Sequence, residues 1–342
     1  MDNKVLTVLI PVYNTEKYIK RCLDSVLLKE ISQFIEVLIV SDGSKDNSIK
    51  IAKKYLKEFP DALKIIEKEN GGHGSTINVG IQNAKGKYFK VLDSDDWFDS
   101  YNFIKLVEKL KLEQSDLVVT NYRQEHTYSG KSVFLKYKDL EDAKKYKFDS
   151  FDLEKLDGEY FVMATSTYKT SILKKAGVKL MEKTFYVDMQ YNLMPITEVN
   201  NFTYYDLDIY RYFIGRPEQS VNVQSFVKNK NDHDKVLRFM VSFYEKNKEK
   251  MSENKKMYIK TIINYTLFTH YTIFCKYDKG GKKTYQQINE FDQFLKDTSL
   301  ELYEISNRMS FTKVFRKTNF WFVKHMKKTF LKIYGILSVI GG

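Results

Sequence analysis

The sequence predicts an α/β protein: a mostly parallel, Rossmann-like sheet with helices on both faces, followed by a C-terminal helical region. Three observations lead there. Apolar, largely β-branched runs of strand length recur at 5–12, 35–40, 63–66 and 88–92, separated by stretches long enough for a helix. Each run ends in a polar or glycine-rich turn: Tyr13-Asn14, Ser41 to Ser44, Asn70 to Ser75, and Asp93 to Asp96. Ligands of such sheets bind beyond the carboxyl ends of the strands, so all of these turns fall on one rim.

Taken in order, Val5 to Val12 reads as a buried parallel strand, and Asn14 or Thr15 is placed to cap a helix running through Leu28. Ile35 to Val40 is the second strand, followed by a helix over Ser48 to Phe59 and a short strand at Leu63 to Ile66. A helix over Thr76 to Ala84 leads into the strand Tyr88 to Leu92, and Asp99 is a natural N-cap for the next helix. Another strand is expected at Leu117 to Tyr122, whereas Tyr128 to Leu156 is charged and poorly periodic. Tyr168 to Leu173 reads as a turn into a helix. From about residue 234 the chain looks helical. Asn264, Thr266, His270 and Thr272 interrupt the apolar pattern of 258–276, which favours a core helix over a membrane span.

Asp93, Asp95 and Asp96 follow the fourth strand at once. Like charges at one sheet end repel unless a cation sits there, and oxygen ligands of this kind suit Mg²⁺ or Mn²⁺. The plainer reading is a solvated acidic turn ahead of the Asp99 cap. No G-x-G-x-x-G follows the first strand and no G-x-x-x-x-G-K-[ST] occurs, so the dinucleotide and P-loop readings lack their phosphate cradle. With few cradling amides, a diphosphate would need a metal.

Apolar content of 43% and charged content of 29% are those of an ordinary globular chain. Two cysteines, Cys22 and Cys275, form neither a disulfide framework nor a metal-ligand pattern, which favours a reducing, cytoplasmic setting. The N-terminus shows no signal-peptide pattern. Of the net charge of +12, eight positive charges fall beyond Glu304, where no carboxylate remains. The basic balance therefore describes a tail, not a groove.

Val-Leu-Ile-Pro-Val-Tyr-Asn (8–14), Ile-Val-Ser-Asp-Gly-Ser-Lys-Asp (39–46), Gly80 to Gly86 and Leu-Asp-Ser-Asp-Asp-Trp (92–97) resemble the family 2 glycosyltransferases. The resemblance is close over about the first 125 residues and looser to about 225. It implies the GT-A fold, with residues 1–225 as the catalytic domain (1–100 the nucleotide-sugar half, 101–225 the acceptor half) and 226–342 as a helical region. It also implies an inverting, metal-assisted transfer from a UDP-sugar to a hydroxyl of a glycan or polyprenyl-linked acceptor. Pro11, Tyr13 and Glu16 would border the nucleotide, and Asp42 would bond the uracil edge. Asn70, Gly72, His73, Ser94 and Asp96 would line the donor site. Asp93 would face the ribose or sugar, and Asp95, with Asp93, would hold Mn²⁺ or Mg²⁺. Asp188 would be the general base, its plainer role being a helix N-cap. Arg216, Gln219 and Ser220 would lie over the diphosphate, and His233 stands where some relatives place a metal-binding histidine.

Two departures stand out. Relatives carry Ala-Arg-Asn-x-Gly after the glycine loop, but this chain has Thr76-Ile77-Asn78-Val79-Gly80; and Val187 replaces the Glu of the usual Glu-Asp pair. They motivate a rival reading, a catalytically silent relative serving as a binding partner in a glycosylation complex. A nucleotidyltransferase is a poorer rival, since Pro11 to Asn14 is not a basic phosphate loop.

At 100° per residue, Phe311, Phe315, Phe322, Met326, Ile333, Ile336, Leu337 and Ile340 share one helix face, and Lys313, Arg316, Lys317, Lys324, Lys327 and Lys328 the other. A basic amphipathic helix over 311–340 reads as an anchor on the inner face of the cell membrane. The alternatives are packing on the domain or on a second subunit, giving a homo-oligomer. Nucleic acid is a poorer partner, because it would leave the apolar stripe uncovered.

Overall fold

β1 (Leu6–Val12) is buried along its whole length, as a strand covered on both faces must be. The structure, a computed structural model, describes residues 4–126, 129–215, 223–308, 310–321 and 323. β1 lies between β2 (Ile35–Asp42) and β4 (Tyr88–Val91), both parallel to it, and β3 (Leu63–Lys68) continues the parallel order beyond β2. α1 (Ile19–Val26) buries Ile19, Cys22, Leu23 and Val26, the i, i+3, i+4, i+7 face of an amphipathic helix. With α2 (Ser48–Tyr55) and α4 (Ser100–Leu112) it shares a core with Leu6, Val8, Ile10 and Val12. Each fully buried Leu or Val contributes about 2 kcal/mol to that core. α3 (His73–Asn83) packs through Gly80 on Leu9. Successive strand residues point to opposite faces, so α3 covers the other side of the sheet.

The expected elements are present with shifted ends. α1 begins four residues after Thr15, behind a turn, and neither Asn14 nor Thr15 caps it: the side chain of Asn14 instead accepts from the amide of Lys45 at 2.8 Å. α3 starts at His73 rather than Thr76, because Gly72, at φ +82, turns the chain directly into the helix. Asp99 caps α4 as expected, accepting from the amide of Asn102 at 3.0 Å.

The second half adds β5 (Trp97–Phe98), β6 (Leu117–His126), β7 (Ser132–Leu135), β8 (Lys144–Lys147), β9 (Ser166–Lys169) and β10 (Asn201–Ile214), with α5 (Thr170–Lys175) and α6 (Asp188–Leu193). The sheet order is β3-β2-β1-β4-β9-β6-β10-β5. β9 is antiparallel to both β4 and β6, and β10 is parallel to β6. Strands β1–β4, β6 and β10 therefore all run one way, while β5, β7, β8 and β9 run against them and make the whole sheet mixed. β7 and β8 fall in the stretch that shows no periodicity. They are edge strands, and Tyr146 is the sole buried residue in the two, so they carry no alternation to read. Lys90 of β4, fully buried, donates to the carbonyls of Ala164 at 2.7 Å and Ser166 at 3.4 Å, and burial lowers its pKa to about 7.

The chain divides into two compact units, 1–218 with Glu253–Lys255, and 219–252 with 256–342. The second holds α7 (Val223–Lys228), α8 (Lys230–Asn247), α9 (Glu253–Thr272, whose first residues count with the first unit), α10 (Lys282–Thr298), α11 (Leu300–Ser306) and α12 (Ser310–Lys317). α9 is a core helix, burying Ile259, Ile262, Ile263, Leu267 and His270; among the described residues no helix is long and apolar enough to cross a membrane. The expected continuous helix over 311–340 is corrected. α12 ends at Lys317, and Asn319 and Phe320 are both left-handed (φ 47 and 54), which no helix continues through. Nor does Arg316 belong to a solvated basic face: its side chain, 8% exposed, donates to Asp292 and to the hydroxyl of Tyr271, each at 2.8 Å. Residues 324–342 lie outside the described part.

Candidate active site

In the strand order β3-β2-β1-β4, the chain reverses direction across the sheet between β1 and β4. That switch point opens a crevice at the strand ends. Pairing of β1 with β4 ends at Leu9↔Val91, so Pro11, which has no N–H to give, falls where the ladder is already open. Beyond it Tyr13 is 51% exposed on the rim. The carboxylate of Glu16 accepts from the backbone and side-chain amides of Asn47 at 2.9 and 3.0 Å, and Asp46 accepts from the amide of Glu16 at 2.8 Å. The first two rim turns are thus knitted together.

Asp42 ends β2, paired in register with Lys68 of β3. Its Oδ1 accepts from Lys68 Nζ and from the amide of Gly71, each at 2.8 Å, and its Oδ2 accepts from the amide of Gly72 at 2.8 Å. Asn70 adds a bond to the carbonyl of Asp42 at 3.0 Å. Burial alone would raise the pKa of Asp42, but Lys68 and the two amides outweigh it and hold it below the usual value. The carboxylate is an anchor for the glycine loop. Only Oδ2 keeps a lone pair for one further donor.

That loop delivers His73 to the acidic turn, where Nε2 lies 3.0 Å from Asp93 Oδ1. Burial works to lower the pKa of His73, but the charges of Asp93, Asp188 and Asp42 raise it above the usual value. Asp93 is in contact with the imidazole, while Asp188 and Asp42 act on it through their charge. His73 is the first residue of α3, not a loop histidine open to solvent.

The three aspartates of the turn divide. Asp93 and Asp95 are half-buried on the rim. Asp96 is turned inward, 1% exposed, contrary to its expected place in the donor pocket. Its Oδ2 accepts from the Tyr210 hydroxyl at 2.7 Å, and its Oδ1 from the amide of Phe213 at 2.8 Å. Burial and the charge of Asp93 push its pKa well above the usual range. Asp96 fastens β10 to the acidic turn. Ser94 is also buried.

A guanidinium does stand at this turn, though not from α3. Arg21 of α1 lies 3.6 Å over the Trp97 ring and 4.4 Å from that of Phe213, and donates to the carbonyl of Asp95 at 3.0 Å. Ile77, where the family resemblance implies an Arg, is fully buried. Asn78 exchanges two bonds with the backbone of Leu180, at 2.9 and 2.8 Å. Neither role was legible beforehand, since each depends on a partner far along the chain; an Asn on the inner face of a helix was the one available hint.

The Leu180 segment leads to Asp188, which opens α6 as its first residue; the N-cap position belongs to Val187. Burial raises the pKa of Asp188, and the nearby charge of His73 opposes that rise. The segment docks on the glycine loop: the amide of Lys183 donates to the carbonyl of Gly71 at 2.6 Å, and a Cβ on Gly74 would stand 2.1 Å from the carbonyl oxygen of Met181. Gly74→Ala is thus expected to push the segment off α3 and to cost about 2 kcal/mol by overpacking. A thermal melt unchanged from wild type would show the packing to be looser than this.

His233, the further metal candidate, faces His270 inside the helical unit, with Nδ1 to Nδ1 at 3.4 Å. Burial lowers its pKa to about 4. Arg216, Gln219 and Ser220 lie outside the described residues.

Among the described residues no three His, Cys, Asp or Glu side chains form a ready-made metal cage. The rim offers two carboxylates, Asp93 and Asp95, instead. Mg²⁺ and Mn²⁺ at nucleotide sites are held by one or two carboxylates, with phosphate oxygens and water completing the shell. The donor set fits a metal that arrives with a diphosphate.

Residues 7–177 match the family model described as glycosyl transferase family 2. EpsH of Bacillus subtilis, named a candidate glycosyltransferase, is 38% identical over 133 residues, 39% of this chain and 38% of its own. The glycosyltransferase GlyA of Streptococcus pneumoniae is 37% identical over 134 residues, 39% of this chain and 19% of its own. The matched stretch thus spans well under half of either relative. Crystal structures of S. aureus TarS 1–349 share the fold. One has TM-score 0.65 at 20% identity, over 87% of this chain and 82% of that one. The complex with UDP has TM-score 0.67 at 18% identity, over 95% and 91%.

The fold is that of the GT-A class. The chain belongs to glycosyl transferase family 2, whose model matches half of its length.

Proposed function

We propose that the protein transfers a sugar from a UDP-sugar, with inversion, to a hydroxyl of a glycan or lipid-linked acceptor, and that Asp188 is the general base. The observation that carries this reading is the pairing of His73 with Asp93 at 3.0 Å at the carboxyl end of a parallel sheet, where the charges of Asp188 and Asp42 also bear on the imidazole. Four ionisable groups held at one rim are costly unless a charged ligand is handled there. Solved structures of TarS with UDP and UDP-GlcNAc support the choice of nucleotide.

Tyr13 and Pro11 border the base of the nucleotide, and the remaining lone pair of Asp42 Oδ2 suits a single imide N–H. Asp93 and Asp95 would hold Mn²⁺ or Mg²⁺, which when bound offsets the charge developing on the leaving diphosphate. Asp188 accepts the proton of the acceptor hydroxyl as its oxygen attacks the anomeric carbon. The raised pKa of Asp188 suits that task, since a stronger base takes the proton more readily near neutral pH. The charges of Asp93 and Asp188 favour the protonated form of His73.

The test is UDP release from a panel of UDP-sugars without acceptor, with Mn²⁺ or with EDTA. One donor should be hydrolysed slowly, and both EDTA and Asp95→Ala should lower that rate by at least about 100-fold. No release and no metal-dependent UDP binding from any donor would sink the reading. Metal-dependent UDP binding without release, with or without candidate acceptors, would favour the silent binding partner.

A further inference from the structure

We propose that Arg21 is a positioning residue for Asp95: by gripping the peptide that joins Asp95 to Asp96, it keeps the Asp95 carboxylate where a metal can use it. The proposal rests on the reading of Asp93 and Asp95 as the metal's carboxylates and names what holds the second of them in place.

Asp93 to Asp96 form a hydrogen-bonded turn. The amide of Asp96 donates to the carbonyl of Asp93 at 2.9 Å, which leaves Ser94 and Asp95 at the two central positions. That closing bond uses the N–H of the 95–96 peptide. In a trans peptide the C=O lies opposite the N–H, so this carbonyl faces away from the turn. Arg21 meets it there, donating at 3.0 Å. Both polar ends of one peptide are thus held, and the Asp95 Cα is fixed on that side.

The guanidinium is brought there by a stripe of α1. Tyr18, Arg21, Cys22 and Ser25 are spaced i, i+3, i+4 and i+7, so they share one side of the helix and its N-cap. The stripe runs along the turn and β5. Cys22 Sγ lies 3.8 Å from the carbonyl of Asp93, and Ser25 Oγ accepts from the amide of Phe98 at 3.0 Å. The Tyr18 ring packs edge-on against Phe213, with centroids 5.9 Å apart.

The residue type matters. Arg21 lies 3.6 Å from the centre of the Trp97 ring and 4.4 Å from that of Phe213, and the two rings are inclined at 65° to each other. A planar cation fits the corner they make: its face rests on the aromatic surfaces while its edge keeps N–H groups for the carbonyl. A lysine would supply the charge without the plane. Phe213 also donates its amide to Asp96 at 2.8 Å. The same residue therefore backs Arg21 with its ring and Asp96 with its backbone, which ties the end of β10 to the turn twice.

Titration calorimetry on the full-length protein tests this. The quantity read is the factor by which Mn²⁺ tightens UDP binding, from Kd in EDTA and in saturating Mn²⁺. Arg21→Met keeps the bulk of the side chain but has no N–H donor. It should cut that factor about 10- to 100-fold, the loss expected when a residue that orients a metal ligand is removed. Kd in EDTA should hardly change, because Arg21 acts through Asp95. Trp97→Leu takes away the face on which the guanidinium rests and should lower the factor in the same direction. Thermal melts accompany both variants, and if Arg21→Met melts well below wild type, Trp97→Leu decides. An unchanged factor in the variant that folds overturns the proposal. So does a loss that appears wholly in EDTA, which would make Arg21 a ligand of the diphosphate. A wild-type protein whose UDP binding ignores Mn²⁺ fails the parent reading instead, so the two failures are told apart.

Discussion

Asp188→Asn is expected to lower sugar transfer by about 10³-fold and to leave the binding of UDP in place, because the change removes a proton acceptor without touching the rim turns. The pH profile gives a second readout. As the proposed base, Asp188 must be deprotonated to work, so the rate should fall as pH falls through its pKa. Burial raises that pKa, which puts the acid limb above the usual carboxylate value of about 4. His73, as a cation, opposes the rise. His73→Gln removes that charge and should move the acid limb to higher pH. A limb that stays in place or moves down would show that His73 does not act on Asp188, and transfer by Asp188→Asn within about tenfold of wild type would place the base elsewhere.

Asp96→Ala should have the largest effect on stability, about 3 kcal/mol, read as a lower denaturant midpoint for the first unit. The substitution removes the carboxylate that accepts from both the Tyr210 hydroxyl and the amide of Phe213. Leaving a buried donor unmade costs about 1 to 3 kcal/mol each. Tyr210→Phe, which leaves the carboxylate one donor, should cost less. If Asp96→Ala unfolds with the wild-type midpoint, the tie between the acidic turn and β10 is not structural. A loss of metal-dependent UDP binding with unchanged stability would instead return Asp96 to the donor site.

The parallel half of the sheet could be read from residue pattern alone. A strand covered on both faces is apolar throughout, and β1 and β2 are buried at every position, so burial leaves a local signature. The turns at the strand ends were equally plain, because Asn, Gly, Ser and Asp carry the chain where it leaves the sheet. Edge strands β7 and β8 leave no such signature. Nor does β9, which enters between β4 and β6 from a distant stretch of the chain.

The residue types at the strand ends were legible in the sequence: Tyr13 follows β1, Asp42 ends β2, and Asp93 to Asp96 follow β4. Their division of labour was decided by tertiary structure. Asp95 and Asp96 are neighbours of one residue type, yet Asp96 is buried because Tyr210, 114 positions away, reaches it. Asp42 became the anchor of a glycine loop through its cross-strand neighbour Lys68. Arg316, one residue of an expected basic face, was drawn inside by Asp292. Periodicity and turn chemistry act over a few residues and are written locally. Whether a charge faces water or a partner depends on what another segment brings to it, and only the folded chain supplies that.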